Sequence, residues 1–149
     1  LPFLVDTAPA DTGATSADPG TKELDGVKIL LVEDNTLNTE ISEFMLTTEG
    51  ARVVKATNGE EAVKLFADSA PGEIRAILMD VMMPVMDGLQ ATREIRALER
   101  ADARRVPIIA MTANAYDDDV ERALEAGMNE YIAKPVEMRK LIDTVKKFL

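Results

Sequence analysis

Asp80 ends an apolar run, Ala76-Ile77-Leu78-Met79, shortly before Pro84 and an Asp87-Gly88 turn signal. A run of this length bounded by turn residues fits a strand buried on both faces. A carboxylate at the tip of such a strand lies where an open parallel sheet binds its ligands. Three more runs stop on polar groups: Val27 to Val32 leads into Glu33-Asp34-Asn35, Val106 to Met111 into Thr112, and Glu130 to Ala133 into Lys134. Each has a plain structural reading, as a helix cap (Glu33, Asp34), a turn cap (Asp80), a satisfied strand end (Thr112) or a solvated charge (Lys134). Five such residues landing on one rim point instead to a shared chemistry.

Carboxylates about 4 Å apart repel by roughly 4 kcal/mol per pair at an effective dielectric near 20. Protonation of one acid relieves this; a hard divalent cation does so without consuming acceptor oxygens. Mg²⁺ suits two or three carboxylates and a backbone carbonyl, and keeps waters of its own; Mn²⁺ is the second candidate. Asp80 is then left to attack an electrophile, and aspartyl phosphate formation is one reaction of carboxylate nucleophiles. Lys134 would balance phosphoryl charge and Thr112 would donate a hydrogen bond to a phosphoryl oxygen. The methionines Met79, Met82, Met83 and Met86 read as packing, since Mg²⁺ does not take thioethers.

The elements that must position this set alternate. Leu37, Ile41, Met45 and Thr48 recur at helical spacing after the first strand, and Gly50 ends that helix. Arg52 to Ala56 predicts a second strand, contributing only Thr57 and Asn58 to the rim, as an edge strand would. Asn58 with Glu61, and Asp87 with Gln90, read as capping boxes for helices whose stripes are Ala62, Leu65, Phe66 and Ser69, then Ala91, Ile95 and Leu98. A fourth helix from near Tyr116 to Ala126 has only Val120, Ala123 and Leu124 to pack, and Asp117 to Asp119 suit its N-terminus. Gly127 ends it. Met138, Leu141, Ile142, Val145, Phe148 and Leu149 predict an amphipathic last helix. Five strands alternating with five helices argue for an α/β fold, a parallel sheet covered on both faces with every strand's C-terminal end on one edge.

Composition narrows the chemistry. A chain of 149 residues has room for one full core. It has no cysteine and no histidine, which excludes disulfides, thiolate or imidazole metal sites, Ser-His-Asp hydrolysis and a phosphohistidine within the chain. A formal charge of −10 opposes nucleic-acid binding. No apolar stretch is long enough for a membrane span, and the absence of cysteine fits a cytoplasmic protein. No two glycines fall two residues apart, so there is no dinucleotide fingerprint, and no P-loop is present. Residues 1–25, small, polar and rich in Pro and Gly after Leu1-Pro2-Phe3-Leu4-Val5, read as a flexible linker ahead of a domain over 26–149.

From Val27 to Leu149 the sequence resembles the response-regulator receiver domains of two-component signalling. The resemblance rests on Val32-Glu33-Asp34-Asn35, on Met79-Asp80-Val81-Met82-Met83-Pro84-Val85-Met86-Asp87-Gly88, on Met111-Thr112-Ala113, on Tyr131 and on Lys134-Pro135. It implies a flavodoxin-like (βα)5 fold with strand order 2-1-3-4-5. It implies Asp80 as phosphoacceptor, with Thr112 and Lys134 as catalytic partners. Metal would be held by Glu33, Asp34, Asp80 and the backbone carbonyl of Met82. Thr112 and Tyr131 would be the switch pair, and Lys134-Pro135 a cis peptide. Implied partners are a phosphohistidine domain of a histidine kinase and a histidine phosphotransfer domain, with the receiver a monomer or weak dimer that catalyses its own phosphorylation and dephosphorylation.

The wording Val-Glu-Asp-Asn-Thr-Leu-Asn and Ala-Met-Thr-Ala-Asn-Ala is similar to receivers fused to hybrid histidine kinases. Leu1-Pro2-Phe3 is similar to the end of a kinase ATP-binding domain, which fits the cytoplasmic part of a membrane-anchored kinase. Two departures stand out: Glu33, where many members carry Asp, and Met82, which has no polar side chain at a position tied to dephosphorylation rate. Two rival expectations are a degenerate receiver serving only as a binding module, and a Mg²⁺-dependent phosphohydrolase of the haloacid-dehalogenase type. The latter needs a second Asp where Met82 stands.

Overall fold

A computed structural model describes residues 24–81, 87–112, 117–134 and 136–149. Met82, Pro135, Tyr116 and residues 1–23 of the expected linker lie outside the described residues. The chain alternates β1 (Lys28–Val32), α1 (Thr36–Thr48), β2 (Arg52–Ala56), α2 (Gly59–Asp68), β3 (Ala76–Asp80), α3 (Gly88–Arg96), a short 3₁₀ turn (Asp102–Arg104), β4 (Ile108–Thr112), α4 (Asp117–Ala126), β5 (Glu130–Ala133) and α5 (Met138–Lys147). The strands form one sheet in the order β2-β1-β3-β4-β5, with every neighbouring pair parallel. This is the doubly wound fold, with strand order 2-1-3-4-5.

Strand residues alternate between two cores, as the two-residue period of a strand requires. Leu30, Val32, Ile77, Met79, Ile108 and Ala110 pack with Ala62 and Phe66 of α2, Ala91 and Ile95 of α3 and Ala123 of α4. Ile29, Leu31, Ala76, Leu78, Ile109 and Met111 pack on the other face with Leu46 of α1 and Leu141, Ile142 and Val145 of α5. β3 and β4 are buried throughout, which explains their unbroken apolar runs. Each fully buried Leu or Ile contributes roughly 1.5–3 kcal/mol.

Several local expectations are corrected. Of the Leu37, Ile41, Met45, Thr48 stripe α1 packs Met45, half buried, against the core; Ser42 and Leu46 are its buried residues, and Leu37 and Ile41 are 65% and 43% exposed. On α4 Leu124 is exposed and Ala126 packs in its place. β4 begins at Ile108 rather than Val106, after Pro107 has given its carbonyl to the Ile77 N–H at 2.8 Å. The capping boxes are only partly reciprocal. Asn58 accepts from the Glu61 N–H at 2.8 Å, but Glu61 reaches back to the Thr57 N–H at 2.7 Å rather than to Asn58. Asp87 accepts from the Gln90 N–H at 2.9 Å, while the Gln90 side chain goes to Glu94. At the start of the described chain Leu24 is fully buried and donates its N–H to the Glu49 carbonyl at 2.9 Å.

Candidate functional site

The strand register brings the site together. Val32 is paired with Met79, so Glu33 and Asp80 follow side by side, and Asp80 is in turn paired with Met111 on β4. The rim is stitched by backbone bonds: the Glu33 N–H donates to the Ala56 carbonyl at 3.0 Å, the Val81 N–H to Met111 at 3.1 Å and the Lys134 N–H to Thr112 at 2.8 Å. The last of these fixes where the lysine leaves the sheet. Its ammonium reaches back to Asp80 Oδ2 at 3.1 Å and Glu33 Oε2 at 2.9 Å. Carboxylate oxygens of Glu33, Asp34 and Asp80 all lie within 4.8 Å of one another.

Glu33 and Asp80 are only 2% and 4% exposed, and Asp34 is exposed. Burial pushes the Asp80 carboxyl up to about 7, and the hydrogen bond and negative charge of Glu33 add to this, against the opposing pull of Lys134. Burial acts the same way on Glu33. There the bonds from Lys134, from Asp80 and from the Asn35 N–H outweigh it and hold the carboxyl below its ordinary range. Burial would lower the Lys134 ammonium, but its two acidic partners win and raise it. The two acids therefore titrate apart: Glu33 stays ionised and Asp80 holds the shared proton up to neutrality. The donor set, hard oxygens crowded enough to raise one pKa, fits Mg²⁺.

Thr112 ends β4, is 5% exposed, and belongs to the opposite side-chain row from Met111. Tyr131 lies on β5 opposite Ala110, half buried against the α2–α4 core. Thr112 and Tyr131 thus share the other face of the sheet from the Asp80 row and sit diagonally on adjacent strands. The metal-site carbonyl of Met82 and the cis Lys134-Pro135 peptide concern residues outside the described set.

Two contributors escaped the sequence reading. Asn35 caps α1 by accepting from the Asn38 N–H at 3.0 Å, and its own N–H donates to Glu33 Oε1 at 3.2 Å. Its residue type and position were the available signal. Gly88 does more than open a turn. A Cβ there would lie 2.3 Å from the Asp80 carbonyl oxygen and 2.9 Å from Met79 Cγ, so α3 starts in contact with the strand end that carries Asp80.

Residues 29–146 match the family model of the response regulator receiver domain. Among curated proteins, the chain is 39% identical over 135 residues to a probable histidine kinase 2 of Oryza sativa subsp. indica and 37% identical over 120 residues to hybrid signal transduction histidine kinase I of Dictyostelium discoideum. These alignments take in 83% and 79% of this chain but only 13% and 7% of those relatives' lengths. Among solved structures, the receiver domain of a Pseudomonas aeruginosa sensor histidine kinase, with magnesium coordinated in its active-site cleft, is 47% identical, with a TM-score of 0.75 over 83% of this chain and 97% of that one. A chain from the co-crystal structure of a Saccharomyces cerevisiae histidine phosphotransfer protein with the receiver domain of its downstream response regulator is 30% identical, with a TM-score of 0.75 over 84% of this chain and 90% of that one. With the receiver-domain model matched over residues 29–146 and relatives more than 30% identical over about four fifths of the chain, this protein belongs to the response regulator receiver domain family.

Proposed function

We propose that this receiver takes a phosphoryl group from a phosphohistidine of another protein or domain onto Asp80 and passes on or switches a two-component signal. The observation that supports it most is the Lys134 ammonium lying between Glu33 and Asp80 beside a third carboxylate on a strand-end rim. Glu33, Asp34 and Asp80, with the Met82 carbonyl, are the residues that would hold Mg²⁺, and the same oxygens accept Mn²⁺. When bound, the metal supplies positive charge that keeps Asp80 ionised at neutral pH and offsets charge on the phosphoryl oxygens. An Asp80 carboxylate oxygen forms the new O–P bond as the P–N bond to the donor imidazole breaks, and the ring nitrogen keeps the electron pair. Lys134 balances the charge gained and the Thr112 hydroxyl donates to a phosphoryl oxygen, so catalysis is positioning and electrostatics. Drawing Thr112 inward frees the diagonal position beside it, into which Tyr131 turns.

The chain's partners are a histidine kinase and a histidine phosphotransfer domain, and its parent is a hybrid kinase placed in the cytoplasm, with residues 1–25 as the connection to an upstream kinase core. The yeast co-crystal relative and the hybrid kinases among the relatives support this reading. So does α1, which carries Leu37, Ile41 and Phe44 at 65%, 43% and 69% exposure along one side, next to the rim. An apolar helical stripe of this kind suits docking against a helix bundle. Among the described residues no helix is long and apolar enough to cross a membrane.

Incubation with acetyl phosphate and Mg²⁺ tests the phosphoacceptor assignment. The wild-type chain gains one acid-stable, base-labile acyl phosphate, and Asp80→Asn gains none. Undiminished labelling of Asp80→Asn overturns it.

A further inference from the structure

A cavity of about 410 Å³ opens beside the rim between α1 and the ends of β4 and β5. Its apolar walls are Ile41, Met111 and Val136, and its polar side is formed by Asn38, Glu33 and Lys134. Ser42 also lines it. Only 5% of Ser42 is exposed, and its hydroxyl makes no hydrogen bond among the described residues. A buried hydroxyl without a partner forfeits free energy that a ligand group can restore. Asn38, Ile41 and Ser42 are three and four residues apart and present one side of α1 to the cavity.

The walls select the occupant. The volume lies in the range of small-molecule sites, with apolar walls and a few convergent polar groups. The Glu33 carboxylate opposes an anion, and its ion-pair partner Lys134 opposes a cation. At 2.9 Å from each other the two charges largely cancel towards the cavity. We propose that this cavity is a binding site for a neutral, ring-sized molecule whose carbonyl or hydroxyl group bonds the Ser42 hydroxyl while its ring packs on Ile41, Met111 and Val136. An occupant shields the Glu33–Lys134 pair from water, tightening it, and so restrains the lysine from turning to a phosphoryl group. The binding claim stands on the cavity alone; this consequence rests on the phosphoacceptor reading.

The test uses the full chain with benzamide as neutral probe and benzoate and benzylamine as charged counterparts, followed by amide chemical shifts. Benzamide is expected to give saturable shifts on α1 and around Met111, with a Kd on the order of 1 mM for so small a probe. The two ions are expected to bind at least about tenfold more weakly. Ser42→Ala is expected to weaken benzamide about three- to tenfold, and Ser42→Leu, which fills the cavity, to abolish binding. Should Ser42→Leu fail to fold, Ser42→Ala and Ile41→Ala carry the localisation. Non-saturable shifts, equal binding of all three probes, or shifts unaffected by the Ser42 variants overturn the site. Saturating benzamide is also expected to slow labelling of Asp80 by acetyl phosphate several-fold, and an unchanged rate overturns the restraint on Lys134. Absence of any labelling without the probe counts against the phosphoacceptor assignment and leaves the cavity result standing.

Discussion

Asp80 sits in an environment far from that of a free side chain, and two outcomes follow from its displaced titration. In the unfolded chain the carboxyl loses its proton near an ordinary 3.8, whereas in the fold it keeps the proton to about 7. Across that window the folded state binds one more proton than the unfolded state, so this residue's contribution favours folding at low pH and is lost as pH rises through about 7. In metal-free buffer above neutrality, Asp80→Asn is therefore expected to melt higher than wild type. With the shift discounted for screening the gain is about 1–2 kcal/mol, or about 4 °C for a chain of this size; a lower melting temperature contradicts the crowding of Glu33 and Asp80. A divalent metal held by the proposed ligands would compete with the same proton. Apparent Mg²⁺ affinity, measured by calorimetry, is expected to fall about tenfold per pH unit on the acid side of about 7 and to be level above it. Glu33, held below its usual range by Lys134 and Asn35, adds no step near neutrality. An affinity that is flat through the acid side speaks against Asp80 as a ligand.

At the scale of elements, the site is held by strand ends and by the first turns that follow them. α3 starts against the Asp80 backbone because Gly88 has no Cβ, so Gly88→Ala must push the helix or the strand end away. The expected cost is about 1–3 kcal/mol in chemical denaturation, with a loss of Mg²⁺ affinity that an overpacked site remote from the rim would not produce. On the outer side, Arg100 closes the C-terminus of α2 by donating to the Phe66 carbonyl at 2.7 Å and the Ser69 carbonyl at 3.0 Å. It also lies over the Phe66 ring at 4.8 Å and forks onto Asp102. Arg100→Met is expected to cost about 1–2 kcal/mol while leaving phosphorylation of Asp80 unchanged, since it keeps the stem and loses the charge-assisted bonds. The strands and the rim were legible in the sequence because a parallel strand buried on both faces is an unbroken apolar run, so its polar terminus is conspicuous; Asp80 after Met79 is the clearest case. The α1 face was not. Leu37, Ile41, Met45 and Thr48 satisfy helical spacing as well as Ser42 and Leu46 do, and spacing alone does not say which side meets the sheet. The close approach at Gly88 was equally silent, because a glycine that avoids a clash and one that opens a turn are spelled the same.

On the whole molecule, the exposed stripe of α1 takes on meaning because it stands beside the acidic rim on the Asp80 side of the sheet. Leu37 and Phe44 contribute little to the core at 65% and 69% exposure, and surface substitutions away from packed positions usually change stability by less than about 0.5 kcal/mol. A donor that docked on this face would bury them and lose affinity when they turn polar. A double variant, Leu37→Asp with Phe44→Asp, is therefore expected to melt within about 2 °C of wild type and to accept phosphoryl from acetyl phosphate at the unaltered rate. Transfer to or from a purified histidine phosphotransfer protein is expected to slow at least about tenfold at subsaturating concentration, as two apolar contacts are replaced by unpaired acids at an interface. The small donor would read the chemistry of the rim and a protein partner docked as proposed would read the rim together with α1, so the two rates separate what Asp80 does from where a partner sits. If both rates fall together, the variant has damaged the site itself; if neither falls, the partner docks elsewhere on the rim and the α1 stripe has no part in transfer.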